Sequence, residues 1–211
     1  PDSQAAGLGS WFTWDYATGD WGGARTRLEN AGITPSLNFT ADLQTNPCGG
    51  MSQGSAIATD TYGSLEFDLE TIAGIPGLSY FIAGSVAAGL DLSGDDIGNF
   101  FTVAEAFAGN EARLAQVYFS QSLWQDKFEI VLGRLAPGDD FAAIDGFGNY
   151  VSTGVNGNPG GIPANFPSFG ASPFAQWGTR VTVTPNDLFY VSAGAYNADP
   201  SVFDDGENGL D

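Results

Sequence analysis

The side chains that could do chemistry in this sequence are mostly carboxylates. Twenty-five Asp and Glu stand against six Lys and Arg, with no His and one Cys, for a formal net charge of −19. Without histidine there is no Ser-His-Asp or Cys-His nucleophile and no imidazole metal ligand. Cys48 alone forms neither an internal disulfide nor a thiolate zinc cluster, and beside two glycines it reads as a turn residue. Nucleic acid is excluded as a partner, because phosphate binding needs clustered Lys and Arg. A close Asp/Glu pair is the minimum for glycoside hydrolysis. Among 25 carboxylates such pairs arise by chance, so the sequence reads as a non-enzyme with no cofactor.

The elements that must position these groups are strands. The chain has 211 residues, 43% hydrophobic and 13% aromatic, too apolar for a disordered chain. No apolar run reaches the roughly 18 residues of a spanning helix. Residues 1–10 lack a basic and apolar leader, as in a chain already processed. One short helix is expected, N-capped by Asp20 before Trp21, continued by Arg25, Leu28 and Glu29, and stopped by Gly32.

Beyond it the apolar period is two. Leu37, Phe39, Ala41 and Leu43 oppose Asn38, Thr40, Asp42 and Gln44 in a strand over 36–44. Leu65, Phe67 and Leu69 oppose Tyr62, Ser64, Glu66 and Asp68 over 60–70. Leu78, Tyr80, Ile82 and Val86 mark a strand over 78–89. In the next, over 113–123, Ala115, Val117 and Phe119 oppose Gln116, Tyr118 and Ser120. Further strands cover 127–135, 177–184 and 189–197, the second carrying Arg180 and Thr182 opposite Trp177, Val181 and Val183. Links at 75–77, 125–126 and 185–187 are tight, while those at 45–58, 90–111 and 136–175 are long. Short turns at one end and long loops at the other is the layout of an outer-membrane barrel.

If the apolar faces meet lipid, the polar faces line a water-filled lumen, since alternate strand residues point to opposite sides. Alternation alone fits a soluble sheet whose polar face meets solvent equally well. In the strand 127–135, Phe128, Ile130 and Leu132 face outward, and the same parity turns Arg134 outward. Either Arg134 sits at the membrane rim or a bulge near Gly133 shifts the phase.

The stretch Asp20-Trp21-Gly22-Gly23-Ala24-Arg25-Thr26-Arg27-Leu28, followed by Gly32-Ile33, resembles the start of the carbohydrate-selective porins of the OprB family. Weaker pieces agree in order: Phe67-Asp68-Leu69, Gln116-Val117-Tyr118-Phe119, Gly133-Arg134-Leu135 and Pro185-Asn186-Asp187. The resemblance implies an all-β, antiparallel transmembrane β-barrel of sixteen strands in the bacterial outer membrane. About seven of those strands are seen here, after a short periplasmic helix in an N-terminal segment, 1–33. Residues 34–211 would then be the N-terminal half of the barrel, with the C-terminal half elsewhere.

The resemblance further implies passive diffusion of small sugars past a long inward-folded loop, matched by residues 136–174. Loops this long without secondary structure are usually functional. Asp139, Asp140, Asp145, Asn149 and Asn165 are its candidates for sugar hydroxyls. Phe141, Phe147, Tyr150, Phe166 and Phe169 are the candidates for sugar faces. Charged residues of both signs are expected at the constriction, with Arg180 first and Arg113 and Arg134 behind it. On the wall, Asn38, Asp42, Tyr62, Glu66, Asp68, Gln116 and Tyr118 are expected to line the pore. Expected neighbours are lipid, lipopolysaccharide, and further copies if the protein forms a homo-oligomer. The acidic pairs Asp95-Asp96, Asp139-Asp140 and Asp204-Asp205 suit either divalent cations or solubility. Two other functions fit the residues: a non-selective or cation-preferring porin, and a soluble β-rich lectin or surface-layer protein.

Overall fold

The computed structural model describes residues 14–156, 161–166, 168–204, 206, 208 and 209. Residues 1–13 of the expected N-terminal segment and Asp205 of the last acidic pair lie outside that set.

Seven antiparallel strands form one sheet in chain order: β1 (Ile33–Asn46), β2 (Gly54–Asp68), β3 (Leu78–Gly89), β4 (Ala112–Leu123), β5 (Phe128–Leu135), β6 (Gln176–Asn186) and β7 (Phe189–Tyr196). The sheet is open among the described residues, with β1 and β7 as its edges. Such edges within a bilayer would leave backbone donors and acceptors unpaired.

One face is apolar and bare. Leu37, Phe39 and Leu43 are 72%, 68% and 82% exposed. A soluble sheet would cover such a band, whereas a lipid-facing wall requires it. Register pairs keep the phase across strands: Phe67 meets Tyr80, Tyr80 meets Phe119, and Phe119 meets Leu132. The opposite, inner face carries Asn38, Tyr62, Ser85 and Arg113 in one row. Between Ala83 and Gly84 the β3–β4 register steps. This bulge takes up Ala115, which is fully buried, and moves Arg113 to the inner face. Plain alternation from Val117 would have turned Arg113 outward.

The links depart from expectation in several places. Strands β1 and β2 run further than their alternation suggested, so the first loop shrinks to 47–53. The expected 75–77 turn is longer and opens with helix α2 (Leu69–Ala73), which takes Leu69 out of the strand. The N-terminal helix α1 spans Ala24–Asn30, shorter than its pattern. Trp21, Gly22 and Gly23 have φ of 51°, 67° and 86°, a left-handed run that no helix tolerates. Asp20 therefore does not sit at the N-cap. Its carboxylate reaches over the run to accept from the backbone N–H and hydroxyl of Thr26, at 2.8 and 2.9 Å. These bonds hold Asp20 below the usual carboxylate range.

All the long loops leave the same end of the sheet. Residues 90–111 fold back over the inner face, where Asp42 accepts from the N–H of Ala106 at 3.1 Å and Gln44 donates to the carbonyl of Val103 at 2.8 Å. Ala58 packs there with Ala104, Ala106 and Phe107. The 136–175 loop is not devoid of secondary structure. It contains α3 (Pro137–Phe141), a 3-10 turn at Phe147–Asn149, and α4 (Gly161–Asn165).

Candidate functional site

The inner face gathers its charges around Arg180. Register pairs Arg180 with Val131 on β5 and Gly194 on β7, so both cross-strand neighbours leave the guanidinium room. A Cβ at Gly194 would meet Tyr196 Cε2 at 2.6 Å and Phe141 Cε2 at 3.0 Å. The missing side chain is what lets the Tyr196 ring and the loop approach the wall.

Arg180 pairs with two carboxylates. Glu129, one strand over, lies 2.8 Å from Nη2, and Asp140 in α3 meets Nη1. The Tyr196 hydroxyl donates to the other oxygen of Asp140 at 2.8 Å, and Ser120 donates to Glu129 at 3.0 Å. Phe141 stands edge-on to Tyr196, with ring centroids 6.1 Å apart. Asp140 and Phe141 thus fasten the start of the long loop to the lumen wall through charge-assisted hydrogen bonds and a ring contact.

Asp139 makes a second attachment. Its carboxylate accepts from the Gln116 amide at 3.3 Å and from the N–H of Ser172 at 3.2 Å. One edge stays wetted while protein crowds the rest. That crowding, with the charge of Asp140 beside it, pushes the carboxyl up to about 6 against the pull of the two hydrogen bonds. Across the lumen face, Tyr118 stacks on Phe81 with centroids 4.9 Å apart. Glu66, Tyr62, Arg180 and Asp140 all lie within its electrostatic reach.

The wall residues expected from sequence divide into two groups. Asn38, Tyr62, Glu66, Gln116, Tyr118 and Arg180 share the inner face. The others have structural work. Asp42 is buried under the 90–111 loop that it holds. Asp68 caps α2 at the short-turn end, accepting from Glu70 N–H at 2.9 Å and the Thr71 hydroxyl at 2.6 Å. Arg113 is buried, paired with Glu111 at 2.5 Å. It donates to the carbonyls of Val202 and Asp204 at 2.8 and 3.0 Å and lies over the Phe174 ring. It anchors the segment that follows β7 rather than facing the channel.

Arg134 is also buried, beside a small cavity lined by Gln176, Asn197 and Asp199. The β4–β5 register runs through it unshifted, and it lies at the loop end of β5. In the long loop Asp145 is exposed. The Asn149 amide donates to Gly146 at 2.9 Å and Tyr150 packs edge-on to Phe147. Asn165 bonds Gly161 and Phe166 contacts Phe169. These residues shape the loop itself, and α3 is the part that meets the wall.

Glu129 and Tyr196 were not singled out from sequence. For Glu129 the signal was present, because the parity that puts Phe128, Ile130 and Leu132 outward puts Glu129 inward.

The model of the carbohydrate-selective porin, OprB family, matches residues 52–211. This chain belongs to that family. Porin B of Pseudomonas aeruginosa is 29% identical over 202 residues, covering 90% of this chain and 43% of that protein. The high pH structure of Pseudomonas putida OprB superposes with a TM-score of 0.84 at 25% identity, over 92% of this chain and 48% of the other. The low pH structure of the same protein shares the fold, with a TM-score of 0.58 at 20% identity over 87% and 50%. The chain spans about half the length of the relatives it matches. Membership in the OprB family places it in the bacterial outer membrane, in a family of porins.

Proposed function

We propose that this chain is one half of the wall of an OprB-type channel that passes small sugars passively. The observation that carries the reading is the tethering of α3 to the inner face through Asp140, Arg180 and Tyr196, in a chain whose family is named for carbohydrate selectivity. Arg180, Glu129, Asp139 and Asp140 form the narrowing at this wall, with Tyr62, Glu66, Gln116 and Tyr118 beside them. Paired charges, amides and hydroxyls give sugar hydroxyls donors and acceptors in quick succession, and each contact is weak enough to release what it admits. Strands outside this chain complete the barrel, sixteen in all on the family pattern. Lipid and lipopolysaccharide meet the Leu37, Phe39 and Leu43 band. No catalytic step and no cofactor enters this mechanism.

The test is flux through the whole protein in liposomes. Neutral monosaccharides should enter faster than amino acids of similar size. Equal rates for the two would remove sugar selectivity.

A specific observation also favours a cation preference. The single Arg180 charge faces two carboxylates, Glu129 and Asp140, and Glu66 and Asp139 add negative charge nearby, in a chain of net charge −19. Lumens of one sign concentrate counter-ions. A reversal potential under a salt gradient measures this, and sugar flux separates it from selectivity for neutral solutes.

A further inference from the structure

Above the constriction the two long loops enclose a second cavity, of about 370 Å³. That falls in the ~300–1,000 Å³ range of small-molecule sites. Its walls are Phe100 and Phe101 from one loop and Pro173 and Phe174 from the other, with Phe107 and Phe203 closing it. The polar groups are few and placed at the edge: Glu105, Asn156, Thr153 and Ser172.

The frame of the cavity is built. Thr153 donates from both its N–H and its hydroxyl to the carbonyl of Thr102, at 2.9 and 3.1 Å, tying loop to loop. The Asn156 amide meets Glu105 and also donates to the carbonyl of Tyr150 at 2.5 Å. Phe174 packs on Phe203 at 5.1 Å, with Arg113 over its other face. Phe100 stands edge-on to Phe101 at 4.9 Å, yet its own ring is 82% exposed. Beyond that one contact Phe100 is open and free to meet a ligand.

We propose that this cavity is a sugar-capture subsite on the loop side of the constriction, with Phe100 offering a ring face and Glu105 accepting hydroxyls. A pyranose has an apolar C–H face and a rim of hydroxyls, and the cavity has rings on its walls and acceptors at its edge. Burial and the neighbouring Asp42 raise Glu105 above the ordinary carboxylate range. The Ser172 that lines the cavity gives its N–H to Asp139. One residue thus borders both sites, and a sugar leaving the cavity arrives at the constriction.

The inference rests on the sugar-channel reading, and the experiment separates the two. The whole protein is placed in a planar bilayer and glucose is added to one side at a time. The on-rate of current block is then measured from each side. Phe100→Ala and Glu105→Gln should each lower the loop-side on-rate roughly tenfold relative to the opposite side. On-rates that change equally from both sides, or not at all, overturn the capture site alone. No block of the unaltered protein from either side overturns the sugar-channel reading and the capture site with it.

Discussion

Arg180 of β6 and Asp140 of α3 are ion-paired across 40 positions of sequence, and this pair holds the long loop against the inner wall. The arginine belongs to the sheet and the carboxylate to the loop, so one ion pair joins the wall to the long connection that crosses it. Tyr196 donates to the second oxygen of Asp140, and Glu129 accepts from the second terminal nitrogen of Arg180. Arg180 is neutralised, and of the two carboxylates that face it one negative charge is left over.

Asp140→Ala should loosen this tether. Glu129 still neutralises Arg180, so the loss is one charge-assisted contact plus the Tyr196 hydrogen bond, about 1–3 kcal/mol. The measurable outcome in the whole protein is a larger single-channel conductance and faster entry of disaccharides. An unchanged conductance would show that the tether does not set the width.

Protonation of Asp139 should be visible in the pH dependence. Its folded-state pKa of about 6 is raised above the ordinary 3.8. The group therefore contributes stability that is full below about 3.8 and is lost as pH rises through about 6. Over the same window the passage gains a negative charge. Cation preference should rise between pH 5 and pH 7 in the native protein and stay flat in Asp139→Asn, with reversal potential as the measurement.

Arg113→Ala should act on folding rather than on permeation. The side chain is buried and carries the Glu111, Val202 and Asp204 contacts, so truncation leaves buried acceptors unmet, at a cost of roughly 3–5 kcal/mol. The denaturation midpoint of the folded barrel on a gel should fall, with the ratio of sugar to salt flux preserved.

Gly133→Val tests a backbone conformation in β5 that favours glycine. Gly133 has φ of 152°, and a Cβ there would run into the Val117 carbonyl and Tyr118. Backbone of this kind costs about 1–3 kcal/mol for other residues, before any clash. The expected result is little or no folded barrel in the outer membrane, read by heat-modifiable migration.

The strands were legible because lipid on one side and water on the other impose strict alternation. Leu37 to Leu43 and Phe128 to Leu132 announce their faces residue by residue. Strand ends were less so: β1 and β2 continue through Thr45 and Ser55, whose hydroxyls bond each other at 3.0 Å and need no apolar pattern. What alternation could not reveal is competition for side chains by the loops. Asp42 has the right parity for the lumen, yet a loop 64 positions away claims it. Arg113 reaches the inner face only through a bulge, which Ala115 does not advertise. The site followed the same rule. Arg180 was visible from its strand phase, and Asp139 and Asp140 from their loop, but the bond joining them is a tertiary fact.

We propose above that Arg180 and its carboxylates form a sugar-selective narrowing. The most direct measurement is glucose block of ion current through the whole protein, native against Arg180→Gln. A saturable block is expected in the native channel, weakening at least several-fold in the variant while the barrel remains folded. A block of equal strength in both proteins would contradict it.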